Sequence, residues 1–483
     1  MTNSGQMLTE MYISVIFLVL TLINIDAAII TRHDESECNI DPQIVSDIAS
    51  YKNVTQTIMD EIKNKGLGQR MFEQFVAFLD KFGARPSGTE RLEKAIDHMI
   101  NLTRTHGVTD VTTEEVDAPH WVRGHESVSM ISPREKNIAV IGLGSSVSTP
   151  KEGITAEAIV VQSFQELDQK ANEDIKGKIV VYDVPYISYG ETVQYRSQGA
   201  SKAAKKGGIA SLVRSITPFS IYSPHTGAQY YDAKVSKIPA AAITHEDADL
   251  LNRLQNQGEK IILKIKMFST FDMKKSRNTI IDVKGNDDPD KVVIVSGHID
   301  SWDVGQGAMD DGGGMIISWL APIALHHLNL RPRRTLRAIL WTAEEPGLIG
   351  AQAYLNKHIN ELNNIDFVME SDEGTFKPRG LTVAGSKEAQ CLIVEVLKLF
   401  SPIDNLKESD YPGSDINLII NKGVPGASLM NDNERYFWFH HSEGDTLNVL
   451  NETDVIECAA FWTAASYVIA DMKEDIPRKS KAV

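Results

Sequence analysis

Three apolar runs of strand length and one aromatic run each lead into residues that can hold a metal. The run 292–296 is followed by Gly297-His298-Ile299-Asp300, and ten residues past Asp300 stands Asp310-Asp311 before three glycines. The run 336–341 leads into Thr342-Ala343-Glu344-Glu345, and 367–369 leads into Glu370-Ser371-Asp372. Phe437-Trp438-Phe439 leads into His440-His441-Ser442-Glu443-Gly444-Asp445-Thr446. Singly, a His-x-Asp or an acid pair at a strand end is a solvated loop or a helix cap. Together they gather carboxylates at one edge of a sheet, where they repel one another unless a cation neutralises them. Imidazole and carboxylate without thiolate suit zinc. One catalytic zinc needs three protein ligands, so five candidates point to two zinc ions about 3.5–4 Å apart sharing a carboxylate and a water, an arrangement suited to hydrolysis. The residues alone leave His440 or His441, and Asp310 or Asp311, open.

The elements that must position these residues are an alternation. After 275 the rhythm is strand, loop, helix, with helices expected at 314–328, 348–362, 388–400 and 454–472. Such alternation predicts an α/β three-layer sheet domain, which places its chemistry in loops beyond the carboxyl ends of the strands. Upstream, 44–108 is largely helical, with Phe72, Phe75, Val76, Leu79 and Phe82 at three- and four-residue spacing. Residues 119–124 read as a loop. The segment 138–266 has short β-branched runs and one Ala-rich helical stretch, 199–209, and reads as an inserted β-rich domain.

At 483 residues the chain exceeds the roughly 250–300 at which one core stops growing, so two units are expected. A net charge of −16 and the lack of a basic stripe argue against nucleic acid as a partner. Met11 to Ile25 is almost wholly apolar and is followed by Asp26-Ala27-Ala28, which reads as a signal peptide over 1–28, with a membrane anchor as the alternative. Asn53-Val-Thr, Asn101-Leu-Thr and Asn451-Glu-Thr are glycosylation sequons that fit a secreted or lysosomal destination without stable membrane insertion. The three cysteines suggest no disulfide framework; Cys391 and Cys458 lie in apolar helical patterns and read as buried core thiols.

Gly297-His-Ile-Asp, Met309-Asp-Asp-Gly-Gly-Gly, Thr342-Ala-Glu-Glu, Glu370-Ser-Asp and His441-Ser-Glu-Gly-Asp-Thr resemble the metal motifs of the co-catalytic di-zinc aminopeptidase and glutamate carboxypeptidase family. The similarity extends over roughly 44–472, through stretches such as Ser220-Ile-Tyr-Ser-Pro-His-Thr-Gly and Ser301-Trp-Asp-Val-Gly-Gln-Gly. It implies that Asp310 bridges two zinc ions, that His298 and Asp372 complete one and Glu345 and His441 the other. It further implies that Asp300 accepts a hydrogen bond from His298 and that Glu344 is the general base. On the same ground the chain is expected to be a homodimeric exopeptidase acting on small peptides, most simply dipeptides with free termini. The catalytic domain would comprise 44–137 and 275–476, with 138–266 resembling a protease-associated insert over the cleft. His225 could meet a substrate carboxylate there, or be structural. A non-enzymatic, receptor-like ectodomain is the alternative, marked by lost ligands, and here every ligand and the base are present.

Overall fold

The computed structural model describes residues 38–479. Their center is one continuous sheet of 14 strands. Asp288–His298 runs parallel to Arg334–Trp341 on one side and to Ile365–Glu370 on the other. The chain thus leaves the middle strand, crosses to one neighbour, and then crosses to the opposite one. Strands that diverge this way open a crevice at their carboxyl ends, where loops leave in opposite directions. Beyond Ile365–Glu370 come Gly426–Asn431, Pro378–Ala384 and Asn405–Glu408.

Helices cover both faces, which makes the three layers. On one face Gly313–His327 and Glu452–Asp471 pack with Leu67–Phe82 and Lys52–Asn64 in the largest apolar cluster. Both of the first two are apolar nearly all round, the mark of a helix buried on every side. Their tryptophans settle their polar ends internally: Trp319 Nε1 donates to Thr103 Oγ1 and Trp462 Nε1 to Ser318 Oγ. Ile349–Lys357 and Asn417–Ile420 cover the other face. The expected helix 348–362 ends early, and 388–400 is an α-helix, Lys387–Leu397, closed by a 3-10 turn.

Residues 119–124 are not a loop. They lie inside the strand Val111–Ser132, which pairs along its length with the equally long Ile262–Val283. Pro119 cannot donate to a ladder, but this strand is paired on one side there, so its missing N–H falls on the open edge. The same two strands lead out to the segment between them. That segment carries parallel strands Ile154–Val161, Ile179–Tyr182, Ala210–Arg214 and Ala240–Ile243, with two apolar clusters, one of which also takes in Trp302 and Val304.

A second correction concerns Cys391. It is bonded to Cys38, 353 residues away, with Cα atoms 5.6 Å apart; Cys458 alone is a buried free thiol. Helix periodicity places Cys391 on an inward face, and spacing carries no trace of a partner so remote. Among the described residues no helix is long and apolar enough to cross a membrane, and the apolar run 11–25 lies outside them. Peptide mapping without reduction should recover Cys38 joined to Cys391. Because the crosslink closes so long a loop, Cys391→Ser should lower the unfolding free energy in urea by about 2–5 kcal/mol. Ready alkylation of Cys391 in native, unreduced protein would remove the crosslink from this account.

Candidate metal centre

His298 is the last residue of the middle strand and is fully buried. Its Nδ1 lies 3.1 Å from the main-chain oxygen of Asp300, which can only accept, so the proton sits on Nδ1. Nε2 is left with its lone pair, 3.1 Å from Asp372 Oδ1 and 3.3 Å from Asp310 Oδ1. The other oxygen of Asp310, Oδ2, faces a different pair. It is 3.2 Å from His441 Nε2, which is itself 3.2 Å from Glu345 Oε2. Tetrahedral zinc with bonds of about 2.0–2.2 Å spaces its ligand atoms roughly 3.3–3.5 Å apart, close to both sets. Asp310 Oδ2 is also buried without a hydrogen-bond partner, an acceptor that a cation would satisfy. Donor chemistry and spacing therefore fit zinc.

The two open choices differ in geometry. His440 stacks on His441 and approaches Asp310 Oδ2 at 3.5 Å, whereas His441 reaches both Asp310 and Glu345. Asp311 also lies within a group of donors that could hold a metal. Its oxygens, however, accept the amides of His298 and Gly314, fastening the strand end to the glycine turn.

Asp300 acts differently from the expectation. Its carboxylate lies 3.7 Å from His298 Nδ1 and instead accepts the amides of Glu344 and Glu345. The carbonyl, two residues along from His298, is the nearer partner for the ring. His225 is buried in the insert, with Nδ1 2.6 Å from the main-chain oxygen of His440. It does not line the cleft.

Several positioning residues escape sequence reasoning. Asp445 accepts the amides of Ala308 and Met309 through Oδ1 and that of Asp310 through Oδ2. Its acid is visible in the last motif, but its direction is not. Arg85 is buried and donates to the carbonyls of Gly83, Ile299, Gln306 and Gly307. Nothing in Gly83-Ala84-Arg85-Pro86 signals that. Ser414 Oγ donates to Asp372 Oδ2, and Tyr436 OH to the Asp372 carbonyl.

The electrostatics follow from burial. Desolvation, then Asp310, pushes Glu345 up to about 7. Desolvation pushes Glu344 well above the ordinary glutamate value, with His298 pulling against it and Asp372 adding to it. For His441 burial favours the neutral ring, but Glu345 and Asp310 outweigh it and raise the ring to about 9. Acids pressed toward their protonated forms beside histidines pressed toward theirs are a site whose charge a divalent ion balances.

The centre opens into a cleft of about 1080 Å³. Glu344, Asp372 and Tyr411 line it together with Tyr189, Arg196 and Tyr230 from the insert.

Comparison with known proteins agrees with this fold. The profile of peptidase family M28 matches residues 278–466. Carboxypeptidase Q of Xenopus laevis is 50% identical over 437 residues, 90% of this chain and 93% of that protein. Carboxypeptidase Q of Homo sapiens is 49% identical, with the same coverage. The crystal structure of a peptidase M28 precursor from Shewanella amazonensis superposes with a TM-score of 0.84 at 30% identity, over 90% of this chain and 100% of that one. A zinc aminopeptidase of Bacillus subtilis shares the fold at 19% identity, with a TM-score of 0.66 over 85% of this chain and 97% of that one. At such identity and coverage, the chain belongs to peptidase family M28.

Proposed function

We propose that the chain is a zinc-dependent exopeptidase that hydrolyses small peptides, with dipeptides carrying free termini as the favoured substrates. The observation that carries this reading is Asp310, whose two oxygens face two different histidine and carboxylate pairs. In this reading Asp310, His298 and Asp372 hold one zinc, and Asp310, Glu345 and His441 the other. Bound zinc would polarise the scissile carbonyl and lower the pKa of the attacking water.

The remaining work falls to side chains. Glu344 stands at the cleft, free of the ligand pairs, and serves as the base: it takes a proton from the water and returns it to the leaving amine. Asp300 fixes the turn that separates Glu344 from Glu345 by holding both amides. The segment 138–266 acts as a protease-associated-like insert, and its tyrosines and Arg196 narrow the cleft to short peptides. The names of the carboxypeptidase Q relatives support a preference for free carboxyl termini. No observation favours the receptor-like alternative.

We also assign the chain to the secretory route, as a homodimer. Asn53, Asn101 and Asn451 are exposed, and a disulfide belongs to an oxidising compartment. Phe219, Ile221, Tyr222 and Trp438 are exposed apolar residues, with the Phe219 and Trp438 rings 5.0 Å apart, and supply a surface for self-association.

Four measurements test the reading. Purified protein should carry two zinc ions. Glu344→Gln should keep both while turnover falls roughly 10²- to 10⁴-fold, and Glu345→Gln should lose one zinc and regain activity in excess metal. The opposite pattern would exchange the two roles. Dipeptides should be cleaved faster than their amidated or N-acetylated forms; equal rates would remove the preference for free termini. Expression through a secretory host should attach glycan to at least one sequon, and an unglycosylated cytosolic product would overturn the assignment.

A further inference from the structure

The insert, which contributes lining to the cleft, also grips the loop carrying His441. His441 has φ 60°, a left-handed backbone that non-glycine residues adopt only when their surroundings impose it. What surrounds it is the insert. The Thr226 amide donates to the His441 carbonyl at 2.9 Å, and the Thr226 carbonyl lies 3.3 Å from His441 Nδ1. One residue earlier, His225 Nδ1 donates to the His440 carbonyl at 2.6 Å. At the other end of the same stretch, Thr217 Oγ1 donates to the Phe437 carbonyl at 2.6 Å. Thr226 is anchored in turn, its hydroxyl donating to the Gly142 carbonyl. Thr217, His225 and Thr226 do not themselves line the cleft, so narrowing the cleft does not require these contacts.

We propose that residues 217–226 of the insert form a positioning clasp that holds the backbone of His441 in its left-handed conformation, and thereby set how tightly the His441 side of the centre binds zinc. The inference rests on the reading of His441 and Glu345 as ligands. His225 and Thr226 are positioning residues in it: neither touches substrate. Behind His441 Nδ1 stand the Thr226 carbonyl at 3.3 Å and the Arg196 guanidinium at 3.4 Å, so the clasp acts through the backbone it holds, which sets where the ring stands, as groups behind a metal-bound histidine do. The clasp is also lopsided. It engages 437–441, whereas His298 takes its orienting carbonyl from Asp300 in its own strand-end loop. Loosening the clasp should therefore affect one zinc and not the other.

The test is zinc titration into the metal-free full chain, with thermal unfolding of the metal-free forms alongside. His225→Ala should weaken one zinc affinity by roughly 10- to 100-fold and leave the second affinity unchanged, with the metal-free Tm lowered by the emptied buried site. At limiting zinc, kcat should fall with KM for a dipeptide unmoved. His225→Asn retains an N–H donor and should recover most of the lost affinity. Thr217→Val releases the other end of the clasp without emptying a buried site, and should weaken the same affinity even if His225→Ala fails to fold. Unchanged affinities, or equal weakening of both, would overturn the clasp. Wild-type protein that titrates as one site, or a Glu345→Gln variant that keeps both zinc ions, would instead bring down the ligand reading and the clasp with it.

Discussion

A buried carboxylate that must face two partners at once has to be held by atoms that do not use its oxygens, and Asp310 is held that way. Asp445 receives the amides of residues 308–310, while Arg85 ties together the carbonyls of Gly83, Ile299, Gln306 and Gly307. The backbone of Asp310 is therefore fixed from behind, and its side chain is left for the centre. Arg85 does electrostatic work as well: it is the buried cation beneath this acidic cluster, lowered by desolvation to about 10 while Asp445 and Asp300 pull it back up. At neutral pH it stays charged. The glycines that follow are a consequence of the same crowding. A Cβ at Gly314 would strike the Ser371 carbonyl and the Asp311 carboxylate, and Gly307 takes φ 56° where the loop turns toward Asp310.

Sheet topology then brings the remaining donors to that fixed point. His298 ends the middle strand, Glu344 and Glu345 follow its neighbour on one side, and Asp372 follows its neighbour on the other. Parallel neighbours in register end at the same height, so three strand ends deliver four side chains within a few ångströms without any long loop. His441 is the exception. It follows a short helical turn, Tyr436–Phe439, ten residues past the end of the strand Gly426–Asn431, and takes support from elsewhere in the chain.

This difference accounts for what the sequence made legible. His298, Glu344, Glu345 and Asp372 stand directly after apolar runs, and a strand-end rule finds them because the strand alone determines their place. Asp300 was legible as a residue and not as an atom, since whether its carbonyl or its carboxylate meets His298 depends on the turn at 342–345. Asp445 and Arg85 act by accepting or donating to main-chain groups, and main-chain groups leave no mark in residue types. The Cys38 to Cys391 bond and the pairing of Pro119 in an edge strand fail for a related reason: each depends on a partner well over a hundred residues away.

The adjacent glutamates show how little the local sequence needs to add once the frame is fixed. Two neighbouring acids after a strand would ordinarily both turn to water. Here Asp300 holds both amides, and Ala343 before them takes φ 55°. The turn is rigid, and the two side chains leave it in different directions. Glu345 is held at both oxygens, accepting the Trp302 amide through Oε1 and facing His441 through Oε2. A carboxylate so confined can coordinate but cannot follow a moving proton. Glu344 has no such restraint on its oxygens among the described residues; its Oε2 lies 3.9 Å from His298 Nε2. A base must accept a proton at one position and release it at another, so the less restrained of the two glutamates is the one suited to that task.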